Sequence, residues 1–277
     1  MKTVTLHSGE QVPAFGLGTW RMGENPGARR EELATLRLGV DLGAKLIDTA
    51  EMYGDGRAEE LVGEVVKGQR DAVFIVDKVL PSNASRRRMD EACERSLCRL
   101  NTDRIDLYLL HWRGDVPLSE TVEAFMELQK AGKIRYYGVS NLDLDVMKEL
   151  SAVPGGGAIQ TDQLLYNLSR RSIEWDLLPW LRQHHIPVMA YSPIEQARLF
   201  EDTRLSGFAH RNGMSPAQAA LAWLLAKDDI IVIPKTSRRE RLRQNLKALA
   251  HPLNPTQLEE LDQLYPPPAG PGPLEML

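Results

Sequence analysis

Eight short, apolar, β-rich runs recur along this chain at a nearly constant interval, and that repeat restricts the possible folds more than any other feature. The runs begin at Phe15 (FGLGTW), Leu46 (LIDT), Val73 (VFIVDKV), Ile105 (IDLYLLHW), Ile134 (IRYYGVS), Ile159 (IQTDQ), Pro187 (PVMAYS) and Ile230 (IIVIP), spaced by 31, 27, 32, 29, 25, 28 and 43 residues. Helical patterns fill the gaps. In SRRRMDEACERSLCRL, Met89, Cys93, Leu97 and Leu100 fall at helical spacing. In SPAQAALAWLLAK, Ser215 reads as an N-cap, Pro216 as the first helical residue, and Ala217, Ala220, Leu221, Leu224 and Leu225 as one buried face. Segments 31–43, 58–67, 119–131, 143–150, 174–185 and 238–249 carry the same period.

Strand–helix units of this length, eight in a row and with no second compositional region, predict a single α/β domain over residues 1–277: a (β/α)8 barrel. The rival is an open doubly wound sheet, which usually shows G-x-G-x-x-G after its first strand. Here GLGTWR has Arg21 where the third glycine would stand. The opening VTLHSGEQVPAF predicts an N-terminal β-hairpin. Residues 193–214 read as an excursion after the seventh strand, and YPPPAGPGPLEML as a short, extended C-terminal tail on the surface.

The chain is 43% apolar and 26% charged, with a net charge of −4 and both signs interspersed. That composition is globular and leaves no basic footprint for nucleic acid. The cluster Arg86, Arg87 and Arg88 reads as a solvated helix face. No apolar run approaches the roughly 20 residues of a membrane span, and MKTVTLHSGEQV lacks the apolar core of a signal peptide. Cys93 and Cys98, the only cysteines, would point about 140° apart on a helix, so a reduced, cytoplasmic protein is expected, with both sulfurs used in helix packing. Trp175, Trp180 and Trp223 are expected between helices and barrel. His184 and His185 are adjacent on a predicted helix without an acidic partner, and no metal site is expected.

In such a barrel the loops at the C-terminal ends of the strands converge on one mouth. The predicted strands end in Thr19-Trp20, Asp48, Lys78, His111, Ser140-Asn141, Gln163, Tyr191-Ser192 and Lys235-Thr236, all polar or aromatic. Asp48, Lys78 and His111 lie on consecutive strands about 5 Å apart, and Tyr53 follows Asp48 in a glycine-rich loop. A free phenol has a pKa of about 10. An ammonium beside it favours the phenolate, a carboxylate fixes the ammonium, and an imidazole can orient a carbonyl. The set is matched to protonating an alkoxide that forms on a carbonyl carbon. No side chain donates hydride, so a reduced nicotinamide is implied. Taken singly, Asp48 is more often a turn or cap residue than catalytic, Lys78 more often a structural ion pair and His111 more often a packed histidine; their convergence favours a site. Trp20 and Trp112, each directly after a strand, are expected to line a substrate pocket with Tyr53 and His111.

The motifs IDTAEMYG, VFIVDKV, LYLLHW, GKIRYYGVSN, MAYSPI and IPKTSRRERLRQN, in this order, resemble the aldo-keto reductase family over nearly the whole chain. The run WDLLPW and the AEMYG variant are similar to the bacterial branch that includes methylglyoxal reductases. The resemblance implies a catalytic tetrad of Asp48, Tyr53, Lys78 and His111 with Tyr53 as general acid, and NADPH bound across the rim without a Rossmann domain. It implies that Ser140, Asn141 and Gln163 hold the nicotinamide carboxamide, that Tyr191 stacks on the ring, and that Lys235, Thr236 and Arg241 clamp the 2′-phosphate. Thr19, Trp20, Ser192, Ser237, Gln244 and Asn245 complete the expected cofactor contacts. A solvated helix face would give RRERLR the same composition. Gln244-Asn245 stands where the family often has Glu-Asn, and Thr-Asp precedes Gln163 where Asn is commoner. Short segments after strand 4 (RGDVP) and at the tail imply an open mouth.

The resulting expectation is a monomeric, NADPH-dependent reductase of small aldehydes and ketones, methylglyoxal among them. Two other classes are weighed. A cofactor-binding sensor or subunit of the same fold would hold NADPH with little turnover. A barrel glycosidase would need a second rim carboxylate beside Asp48, and Asp162, next to Gln163, should point to the other face.

Overall fold

The computed structural model describes residues 2–277. Strands β1 (Thr3–Thr5) and β2 (Gln11–Pro13) form an antiparallel hairpin. Eight parallel strands follow: β3 (Leu17–Gly18), β4 (Leu46–Asp48), β5 (Phe74–Val79), β6 (Ile105–Leu110), β7 (Ile134–Ser140), β8 (Asp162–Leu165), β9 (Val188–Tyr191) and β10 (Ile230–Val232). They pair in sequence order. A parallel bridge between Phe15 and Val232 closes the sheet, with the Gly16 amide donating to the Val232 carbonyl at 2.8 Å. The closed sheet and its ring of helices make the (β/α)8 barrel that the spacing predicts, and not the open sheet.

The helices are α1 (Arg29–Asp41), α2 (Arg57–Val66), α3 (Arg86–Leu100), α4 (Leu118–Lys130), α5 (Leu144–Ser151), α6 (Leu177–Gln183), α7 (Thr203–Arg211), α8 (Pro216–Leu225), α9 (Arg239–Leu246) and α10 (Pro255–Leu264). Strands β5 and β6 are buried at every residue because side chains fill one face and helices cover the other. Barrel and helix layers share one continuous hydrophobic core. A fully buried Ile75 or Leu61 within it contributes about 1.5–3 kcal/mol. Helix α8 starts on the capping box of Ser215 and Gln218, as the sequence predicts for its N-cap. Among the described residues no helix is long and apolar enough to cross a membrane.

The hairpin packs at the N-terminal end of the barrel, opposite the mouth. Glu10 accepts from Tyr136 at 2.7 Å and pairs with Arg135, both near the start of β7.

Several local expectations need correction. The excursion after β9 contains a short 3-10 segment (Glu195–Glu201) and helix α7. Helix α10 precedes the tail. The tail is extended and on the surface as expected, and its last two residues, Met276 and Leu277, border the barrel mouth while staying about half exposed. Trp223 is buried as expected, but Trp175, which precedes α6, is 46% exposed. Trp180 is half-buried and stacks on His184, 3.9 Å between ring centroids. Cys93 packs inside, whereas Cys98 is exposed, because the two sides of α3 face opposite environments. His184 and His185 lie just past the end of α6, and His185 adopts a left-handed φ of 55°.

Candidate active site

The strand register decides which side chains enter the barrel. Asp48 is level with Val76, Lys78 with Leu109, Leu109 with Gly138, Ser140 with Gln163, and Gln163 with Met189. Side chains alternate along each strand. Asp48, Lys78, His111, Ser140, Gln163 and Tyr191 therefore all fall on the inner face, at the C-terminal end. Gly18 is part of the same construction. A Cβ there would lie 2.7 Å from the carbonyl oxygen of Ile233, so only glycine permits this approach of β3 to the opposite edge.

Tyr53 reaches the site from the loop between β4 and α2. Gly54, Asp55 and Gly56 have φ of 58°, 56° and 84°, a left-handed run that turns the chain sharply into α2. The phenol is thereby laid over the strand ends. Lys78 Nζ lies 3.4 Å from Tyr53 Oη, 2.7 Å from Asp48 Oδ1 and 2.8 Å from the Thr49 carbonyl oxygen. Gln163 Nε2 also donates to Asp48 Oδ1, at 2.7 Å. The His111 ring meets Tyr53 edge-on, 5.8 Å between centroids, and packs on Trp112 at 4.7 Å.

Burial pulls the Lys78 ammonium down, but Asp48, Tyr53 and Asp77 outweigh it, so its pKa is raised and it stays charged. Burial pushes the Tyr53 phenol up; the Lys78 charge opposes this without reversing it. The expected depression of the phenol's pKa is not found: burial outweighs the Lys78 charge, the net shift is upward, and Tyr53 stands protonated beside a cation. Burial, then Lys78, lowers His111 to about 3, so its imidazole is neutral. Its Nδ1 is buried without a partner. A protonated phenol, a neutral imidazole and a fixed ammonium can together bind an oxygen that gains negative charge.

Asp48, Tyr53 and His111 floor a cavity of about 980 Å³ that runs along the mouth, with Lys78 buried beneath them. Trp20 and Trp112 line it, as expected, and Met52, Phe200, Met276 and Leu277 add apolar wall. The Ser140 hydroxyl donates to the Gln163 carbonyl at 2.8 Å, and Asn141 Nδ2 donates to the His111 carbonyl at 3.1 Å. Tyr191 Oη donates to Asn141 Oδ1 at 3.0 Å. Farther along, Ser192 after β9, Lys235, Thr236 and Ser237 ahead of α9, and Arg241, Gln244 and Asn245 on α9 line the cavity. Thr19 does not. It is fully buried, and its hydroxyl donates to the Asp48 carbonyl at 2.9 Å, a contact that braces β3 against β4.

Sequence reasoning missed Arg21, Met52, Ile194, Gln196, Phe200, Arg238, Met276 and Leu277 as cavity residues. Arg21 carried a signal, since it directly follows Trp20. It has a φ of 60°, and its guanidinium lies 4.4 Å from the centre of the Trp20 ring. Asp162 faces outward, as expected from its place beside Gln163. It is fully buried, both oxygens lack a partner, and burial pushes its carboxyl well above the usual range. Among the described residues no cluster of three or more His, Cys, Asp or Glu is placed to hold a metal ion.

A closed (β/α)8 barrel with Asp48, Tyr53 and His111 on the cavity floor, a buried lysine beneath them and a cation-lined extension defines an oxidoreductase-type pocket rather than a paired-carboxylate one. The chain belongs to the aldo/keto reductase family, whose model matches residues 14–266. It is 46% identical over 281 residues to methylglyoxal reductase YeaE of Escherichia coli K12, covering 100% of this chain and 99% of that protein. A Klebsiella pneumoniae aldo/keto reductase crystallised with NADP and acetate superposes with a TM-score of 0.97 at 48% identity, covering 100% of both chains. The thermostable aldo-keto reductase Tm1743, solved with the inhibitor epalrestat, gives 0.89 at 39% identity, covering 95% of this chain and 100% of its own.

Proposed function

We propose that this protein is an NADPH-dependent reductase of small aldehydes and ketones, methylglyoxal included, acting as a single-domain monomer in the cytoplasm. One observation carries the reading: Asp48 and Tyr53, both held by the buried Lys78 Nζ beneath them, line a cavity that extends to Lys235 and Arg241. A carbonyl pocket and an anion-holding groove are then one continuous space.

The residues present fit a dinucleotide. Ser140, Asn141 and Gln163 offer donors and acceptors beside the tetrad for the carboxamide, and Tyr191 offers an aromatic face for the ring. Lys235, Thr236 and Arg241 would hold the 2′-phosphate, helped by the amides that open α9. When bound, the reduced nicotinamide supplies the hydride for the carbonyl carbon. The chain's own groups do the rest. Tyr53 donates its proton to the carbonyl oxygen, Lys78 stabilises the phenolate left behind, and Asp48 keeps Lys78 in place. Neutral His111 donates a hydrogen bond to the same oxygen, and the apolar wall limits water. The relatives named methylglyoxal reductase support the substrate class.

Steady-state NADPH consumption with methylglyoxal, an aromatic aldehyde and an aldose tests the reading. Turnover of the aldehydes is expected. Tight NADPH binding without turnover of any carbonyl would instead favour the sensor class.

A further inference from the structure

Ser192, Gln196 and Ala197 line the cavity and Glu195 is buried behind them; φ is 47°, 49°, 53° and 73° at Ser192, Glu195, Gln196 and Ala197. Four non-glycine residues in the left-handed region cost free energy that neighbouring contacts must offset. The contacts converge on the buried carboxylate of Glu195. It accepts from Asn167 Nδ2 at 2.8 Å, from Arg198 at 3.2 Å, and from Arg170 through Nε at 3.1 Å and a terminal nitrogen at 3.0 Å. Asn167 Nδ2 also donates to the Ser192 carbonyl at 2.9 Å. The other terminal nitrogen of Arg170 donates to Glu275 at 2.8 Å. Glu275 immediately precedes Met276 and Leu277, which line the cavity.

One guanidinium therefore holds two walls of the same cavity: the loop after β9 and the C-terminal segment. The planar fork meets Glu195 with Nε and one terminal nitrogen while the other terminal nitrogen points to Glu275, a divergent geometry that the compact ammonium of a lysine does not reproduce. We propose that Arg170 is a positioning residue that couples the Ser192–Glu201 loop to the C-terminal segment, so that the cofactor side and the carbonyl side of the pocket are set together. The kinetic consequence rests on the reductase reading, with Gln196 and Ala197 toward the cofactor and Met276 and Leu277 toward the carbonyl. Release of the segment would widen the mouth for bulky aldehydes and loosen the loop as well.

The test is hydrogen exchange on the whole chain for wild type, Glu275→Ala, Arg170→Lys and Arg170→Met. Glu275→Ala is expected to speed exchange in peptides covering 268–277 and also in those covering 192–201, by about two- to five-fold, the range for a half-exposed ion pair. Arg170→Met should do the same to both, and Arg170→Lys should restore only one. Faster exchange confined to the tail in Glu275→Ala overturns the coupling. Should Arg170→Met fold poorly, the Glu275→Ala result decides alone. In turnover, Glu275→Ala should raise the ratio of kcat/KM for an aromatic aldehyde over methylglyoxal by about two- to five-fold and weaken NADPH binding by a similar factor. A wild type that consumes no NADPH would defeat the reductase reading, while the exchange data would still decide the coupling.

Discussion

Lys78 and Asp48 form a buried ion pair, Nζ to Oδ1 2.7 Å, with neither side chain more than 4% exposed. Such a pair gains little net stability over an apolar replacement, yet breaking it is costly, since one charge is left alone in a dry site. The pair is best understood by what it does for Tyr53, whose hydroxyl depends on a charged lysine at 3.4 Å. Asp48→Asn is expected to cost about 3–5 kcal/mol of stability and roughly 10²–10³ in kcat. Denaturant melts and steady-state rates on the same preparation check both. A variant with normal kcat would show that Lys78 needs no partner.

The phosphate clamp proposed for Lys235 and Arg241 is tested by comparing the two cofactors. Replacing Lys235 and Arg241 together by Met should weaken NADPH by roughly ten- to hundred-fold, the range for losing charge-assisted hydrogen bonds. NADH, which lacks the 2′-phosphate, should lose far less. Fluorescence titrations with both cofactors measure the ratio. Equal losses would mean that these residues support the fold and do not read the phosphate.

His111 gives a pH signature. Its folded pKa is lowered to about 3, first by burial and then by Lys78. The ordinary value is about 6.5. The unfolded chain therefore binds the proton more readily, so the stability tied to His111 is complete above about pH 6.5 and is lost as pH falls toward 3. His111→Gln should gain on wild type as the solution is acidified, by up to about 1.4 kcal/mol per pH unit. Melting temperatures at pH 8 and pH 4.5 reveal it. A wild-type kcat profile that breaks between pH 5 and 8 because of His111 would contradict the neutral imidazole.

Much of this was legible in the chain. The interval of about thirty residues follows from one strand plus one covering helix, so the barrel could be read from runs such as LIDT and IDLYLLHW. The convergence of Asp48, Lys78 and His111 followed from their places at strand ends, and register then put all three on one face. Helix α10 went unread although Leu258, Leu261 and Leu264 fall at helical spacing and Asn254, Pro255 and Gln257 spell a capped start. The approach of Met276 and Leu277 to the mouth was not legible. It is marked by an ion pair between Arg170 and Glu275, 105 residues apart, and no local pattern announces such a contact. The bridge from Thr19 to Asp48 was not legible for a similar reason: a hydroxyl at a strand end serves such a bridge as readily as it serves a ligand.

The proton donor is tested most directly by Tyr53→Phe, which removes one oxygen and leaves the ring packed against His111. NADPH affinity by fluorescence titration should stay within about two-fold of wild type, while kcat for methylglyoxal drops by at least about 10². Wild-type turnover from that variant would contradict the role given to the phenol and require another acid on the cavity floor.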